Sequence, residues 1–181
     1  SYVCSSDLIR SFRILTRNDL IQLIEATLEA TCDSLRVGVA FIFTAHNQQV
    51  EPMLTVGAAH FTDEDLQQTA EEIFSLLPLK SSDDARLFVT WGEYQITPLY
   101  SLRANGGRSD PSLIGIFGIQ MNAETLAAMP AEDRDMLYAY IERGEAALDD
   151  MQLQVEIVAA LEGLLPQIST TRTRAGEVEY R

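Results

Sequence analysis

Few residues in this chain have the type and spacing to do chemistry. The stretch SLIGIFGIQM, Ser112–Met121, places Gly115 and Gly118 just after a polar loop, a spacing that invites comparison with a phosphate-cradling turn. Such a turn needs outward-facing N–H groups at a helix N-terminus, usually with a lysine after the last glycine. Here Gly118 is followed by Ile119, Gln120 and Met121, and no helix begins inside the motif. Leu113, Phe117, Ile119 and Met121 alternate with Ile114 and Ile116, so both faces are apolar. A strand of that kind is covered twice. The stretch is expected to be a central strand whose glycines mark the close approach of another element.

The other reactive groups are equally sparse. Two histidines, His46 and His60, with no nucleophile signature give no Ser-His-Asp or Cys-His set. Cys4 and Cys32 lie far apart, without a CxxC or a neighbouring histidine, which argues against a zinc site or a disulfide framework. A formal net charge of −14 argues against nucleic acid and anionic membranes, which demand clustered Lys and Arg. The acid concentrates between Glu124 and Glu162, with ten acidic residues against two arginines, and reads as a solvated helix face. No apolar run approaches the ~20 residues of a membrane span. With no leader-like segment at the start either, a cytoplasmic location is expected, and no enzymatic activity.

The elements that must position these residues follow from periodicity. Leu8, Ile9 and Phe12 share one helical face, and a second helix follows, with Asn18 as its expected cap and Ile21, Ile24, Leu28 and Leu35 as its stripe. Arg36–Thr44 then reads as an interior strand, turned by AHNQQ into a second strand, PMLTVGAAH. Thr62, with Asp65 three residues later, starts a helix that Pro78 stops. ARLFVTW and EYQITPLYSLR are further strands, and Pro98 in the latter implies an edge or a bulge. After the central strand a long helix runs from Pro130 to about Leu165, ahead of Pro166. The expected fold is α+β, an antiparallel sheet with helices packed on one side and long terminal helices.

ITPLYSLRANGG, then SLIGIFGIQMN and MPAEDRDMLYAYI, resemble the closing half of a GAF domain. In that family a strand ending in "vPL", a loop and a strand of the form "viGvlgl" lead into an acidic-capped helix. The resemblance spans roughly Asn18 to Val155 and implies a GAF/PAS-like sheet in a regulatory module of a larger signalling protein. Cyclic-nucleotide-binding members carry Asn-Lys after the last strand, then Phe-x-x-x-Asp-Glu. This chain keeps Asn122 and Asp133 but has Ala123, Met129 and Arg134 at the remaining positions, so no Lys–Asp pair braces such a pocket. Neither cysteine is placed for bilin attachment, and no cofactor is identified. A GAF-type pocket here implies a lining of His60, Phe61, Trp91, Tyr94, Tyr100 and Arg103; residues of these types also fill cores.

The last helix carries the more specific pattern. Leu137, Ile141, Gly144, Leu148, Met151, Val155 and Val158 follow a 3.5-residue repeat, the spacing of a coiled-coil seam, before it slips to Leu161, Leu165 and Ile168. The seam implies a homodimer through terminal helices; the alternative is a monomer whose helix covers the sheet and then its own N-terminal helix. The expected organisation is a helical lead-in over 1–17, a GAF-like domain over 18–155 and a helical continuation and linker over 156–181. Two functions fit: a sensor that binds a small molecule beside the sheet and relays through its helices to an output domain outside this chain, or a ligand-free dimerisation and relay module.

Overall fold

The computed structural model describes residues 16–77, 86–101 and 112–179, with side chains described as far as residue 164. The expected first helix around Leu8, Ile9 and Phe12, and Arg103, lie outside the described residues. The elements run α1 (Arg17–Leu35), β1 (Val39–His46), β2 (Gln49–Gly57), α2 (Asp63–Leu76), β3 (Val89–Trp91), β4 (Tyr94–Tyr100), β5 (Leu113–Gln120), α3 (Ala123–Ala127) and α4 (Ala131–Glu179). The five strands form one antiparallel sheet in the order β2-β1-β5-β4-β3, so the glycine-bearing β5 is its central strand, as expected.

Helix α1 begins at Thr16, not Asn18. Thr16 Oγ1 accepts from the Asp19 N–H at 3.2 Å while the Thr16 N–H donates to Asp19 Oδ2 at 3.0 Å. This reciprocal box satisfies two orphan donors, whereas Asn18 lies within the first turn. The inward face also differs from the expected stripe: Leu20, Ile24 and Leu28 are buried with Thr27 and Thr31, while Ile21 and Leu35 are half-buried. Both threonines tolerate burial because their hydroxyls donate to the carbonyls four residues back. Helix α2 starts at Thr62, as its sequence indicates.

The β1–β2 hairpin turns through Asn47 and Gln48, both at positive φ, the signature of a two-residue type I′ turn. Pro98 lies in β4 beyond the reach of β3, which pairs only with Tyr94–Ile96, and the register shifts just after it, between Leu99 and Tyr100. Its missing N–H is thus tolerated at a local edge.

Helices cover both faces of the sheet, which corrects the one-sided arrangement expected above. Leu66, Ala70 and Ile73 of α2 pack with Val39, Phe41, Phe43, Ile96 and Ile116. On the opposite face Gly144 of α4 lies against Ile42 and Phe117, and Leu148 lies over Gly115. The physical reason is already in β1 and β5: strands that carry apolar, buried residues on both faces cannot leave one face to water.

The chain divides into two compact units, Ser1–Asp149 and Asp150–Arg181. In the second, the helix exposes Val155, Ile157, Val158, Leu161 and Leu164. The expected stop ahead of Pro166 is not observed, since helix α4 is assigned to Glu179. Proline removes one rung, to the Glu162 carbonyl, and the Ala, Leu and Glu residues that precede it favour helix.

Candidate functional site

The residues proposed for a pocket fall into separate places. Phe61, Trp91 and Tyr94 converge with Phe41 and Phe43 on the α2 face. Phe41 stacks on Phe43 at 4.3 Å, and the Phe61, Tyr94 and Trp91 rings lie 4.9, 5.2 and 6.2 Å from it in tilted and edge-on orientations. Edge-to-face geometry of this kind is favoured by the ring quadrupoles and adds to the area buried. Gly118 makes the cluster possible, because a Cβ there would collide with the Phe41 ring. His60, next to Phe61, is exposed. Tyr100 is not part of this cluster. It lies at the other end of β4, past the register shift.

The seam residues also divide. Leu137, Ile141 and Leu148 are buried in the first unit, and Gly144 and Leu148 contact the sheet directly. Met151, Val155 and Val158 belong to the second unit, in which Val155 and Val158 are exposed.

Around Tyr100 the structure assembles a polar clamp that sequence reasoning missed. Glu145 of α4 is 8% exposed and is gripped from two directions. Arg86 donates to both its oxygens, at 2.8 Å and 3.3 Å, and the Tyr100 N–H donates to Oε2 at 2.9 Å. One turn further along α4, Asp149 accepts from the Ser101 hydroxyl at 2.8 Å. Two carboxylates at i and i+4 therefore fasten the end of β4 to α4. The bidentate guanidinium makes Glu145 the stronger anchor. Burial, and then the Glu145 carboxylate, pushes the Tyr100 phenol above its ordinary pKa. A signal was present in the sequence: Glu145 falls four residues after Ile141 and three before Leu148, an acid in the apolar phase of its helix. Such a residue needs a partner.

Two clefts flank α3. The larger, about 470 Å³, lies at the β3–β4 turn and the end of β5 and is acidic, with Glu93 and Glu124 beside Thr90 and Asn122. The smaller, about 260 Å³, is lined by Arg86, Leu87, Gln95, Leu126, Arg134 and Tyr138 among others. It shares Arg86 with the clamp. Among the described residues no three His, Cys, Asp or Glu side chains are grouped to hold a metal, and no helix is long and apolar enough to cross a membrane. Cys32 is half-buried, and burial, with Asp33 and Glu29 nearby, raises its thiol pKa and disfavours the reactive thiolate.

Compared with family models, curated proteins and solved structures, the chain matches none.

Proposed function

We propose that this chain is a non-catalytic regulatory module of GAF-like type, in which changes at the end of β4 are passed to helix α4 and on to an output domain. The observation that carries this reading is the Glu145 clamp. Its carboxylate holds a side chain from the segment before β3, a main-chain N–H at the end of β4 and the helix itself in one charge-assisted knot. A ligand-driven displacement of Arg86 or of Tyr100–Ser101 cannot leave α4 untouched, because the bonds that would break sit on α4. The helix then continues past Asp149 without interruption. Amide hydrogen exchange tests the relay. In Glu145→Gln, exchange should accelerate in residues 150–164 while β1 and β5 keep their protection. Unchanged exchange in 150–164 would refute the relay.

A second reading, a ligand-free homodimerising module, is favoured by a different observation. The aromatic set that could line a GAF-type pocket is occupied by its own rings, and the second unit exposes five large apolar side chains. Light scattering at micromolar concentration decides it: twice the chain mass, reduced to one by Leu161→Asp, supports the dimer, and a single chain mass retires it.

A further inference from the structure

We infer that the smaller cleft, bounded by α3, the segment before β3 and the first turns of α4, is a binding site for a small aromatic carboxylate. Four features converge there. In a chain of net charge −14, the arginines with described side chains are Arg17, Arg36, Arg86, Arg134 and Arg143, and two of them, Arg86 and Arg134, line this one cleft. Arg86 is neutralised by Glu145. Arg134 is not neutralised: its Nη2 donates to the Leu126 and Ala127 carbonyls at 3.3 and 3.2 Å, leaving Nε and Nη1 without a protein partner among the described residues.

Gln95 supplies the second feature. It is 2% exposed, yet one end of its amide is engaged only with Thr90 Oγ1, at 2.9 Å. The other end has no partner among the described residues and is not sealed from the cleft that it lines. That end is open to solvent, so water satisfies it in the free protein and a ligand donor can take the place of that water. Third, the Tyr138 phenol, one helical turn from Arg134, also lacks a protein hydrogen bond among the described residues and lines the same cleft. Fourth, the walls are apolar, with Leu87 44% exposed and Leu126 half-buried.

The chemistry of these groups selects the ligand. Arg134 keeps its charge and, with Nη2 held by the two carbonyls, offers Nε or Nη1 as a single charge-assisted donor to one oxygen of a carboxylate. A phenol can donate to the same group, the open end of the Gln95 amide takes a hydroxyl, and leucine walls take a ring. The volume, about 260 Å³, is just below the ~300 Å³ at which ligand pockets begin, so one ring with two polar ends is the right scale. The surrounding acidity does not forbid an anion, because exposed charges beyond ~8–10 Å are screened while Arg134 would be in contact.

This inference names the input of the sensory reading proposed above and rests on it for its biological meaning. Titration calorimetry of the whole chain with 4-hydroxyphenylacetate tests it, against 4-hydroxyphenylacetamide, which keeps the shape and loses the charge. The acid is expected to bind once per chain and the amide roughly tenfold or more weakly. Arg134→Gln should erase that preference. Leu87→Trp, at an exposed position, should block the cleft and abolish binding with the melting temperature unchanged. Equal binding of acid and amide, no binding of the acid at millimolar concentration, or binding that survives Leu87→Trp would each overturn the site. None of these outcomes touches the exchange behaviour of Glu145→Gln, so the relay and the ligand stand or fall separately.

Discussion

Strand β4 offers a comparison within seven residues. Tyr94 and Ile96 point toward α2 and join a cluster of aromatic rings in mutual contact. Gln95 and Thr97 point the other way, are just as buried, and are polar. The Thr97 hydroxyl donates to the Leu87 carbonyl at 3.0 Å, and Gln95 opens on the cleft. One face of the sheet is thus a dry core of aromatic rings and α2 side chains in mutual contact. The other carries hydrogen bonds, a buried ion pair and space. Apolar packing is non-directional and tolerates no ligand without repacking, whereas buried polar groups are held by a few directional bonds that a ligand can rearrange. The face that can respond is the polar one.

The largest effects should fall on the dry face. Phe41→Ala removes a ring that touches four others and leaves a cavity, and is expected to cost ~3–5 kcal/mol in urea unfolding. A cost below ~1 kcal/mol would mean that the aromatic cluster is not the core. On the polar face, Glu145→Leu strands the Arg86 guanidinium and the Tyr100 N–H, for an expected ~2–4 kcal/mol, the range for a buried pair lowered for its partial exposure. The double variant Arg86→Met/Glu145→Leu should recover much of that loss, because an ion pair replaced on both sides by apolar groups is often near neutral. No analogous rescue exists for Phe41. An additive double variant would show that the pair is not coupled in solution.

Gly115 and Gly118 separate the two faces most directly. A Cβ on Gly118 meets the Phe41 ring on the α2 side, and one on Gly115 meets Leu148 of α4 on the other. Each alanine variant should cost ~1–3 kcal/mol by overpacking. Gly118→Ala should be partly rescued by Phe41→Leu, and Gly115→Ala should not. Rescue of both by the same change would erase the distinction between the faces.

How much of this was legible before the structure depends on how local the signal was. The central strand was readable because alternation and the missing lysine are properties of ten consecutive residues. The Thr62 start of α2 was readable for the same reason. Asn18 has the residue type of a cap, but the helix starts two residues earlier because Asp19, three residues after Thr16, completes a capping box with it. Double cover of the sheet was implicit in strands apolar on both faces, yet helix order alone did not reveal it. The clamp and the cleft were least legible. They join Arg86, Gln95, Tyr100, Arg134 and Glu145 from segments far apart in the chain, and only the odd phase of Glu145 on its helix was visible in advance.

The smallest predicted effect distinguishes the faces by titration. The Tyr100 phenol is raised by burial and then by the Glu145 carboxylate, whereas Tyr94, on the aromatic face, is raised by burial and then by Glu93. A raised pKa means that the folded state holds the phenolic proton more tightly than the unfolded chain. The stability this contributes is complete below the unfolded pKa and is lost as pH rises through the folded one, so stability should decline above ~pH 10. Glu145→Gln removes the charge beside Tyr100 and leaves Glu93 in place. In a Tyr94→Phe background, ultraviolet titration should therefore show a phenolate forming at lower pH when Glu145 is neutral. In a Tyr100→Phe background the same substitution should change nothing. If Glu145→Gln leaves the first profile unmoved, the carboxylate does not sit at the end of β4 in solution, and the clamp that links the sheet to α4 loses its central residue.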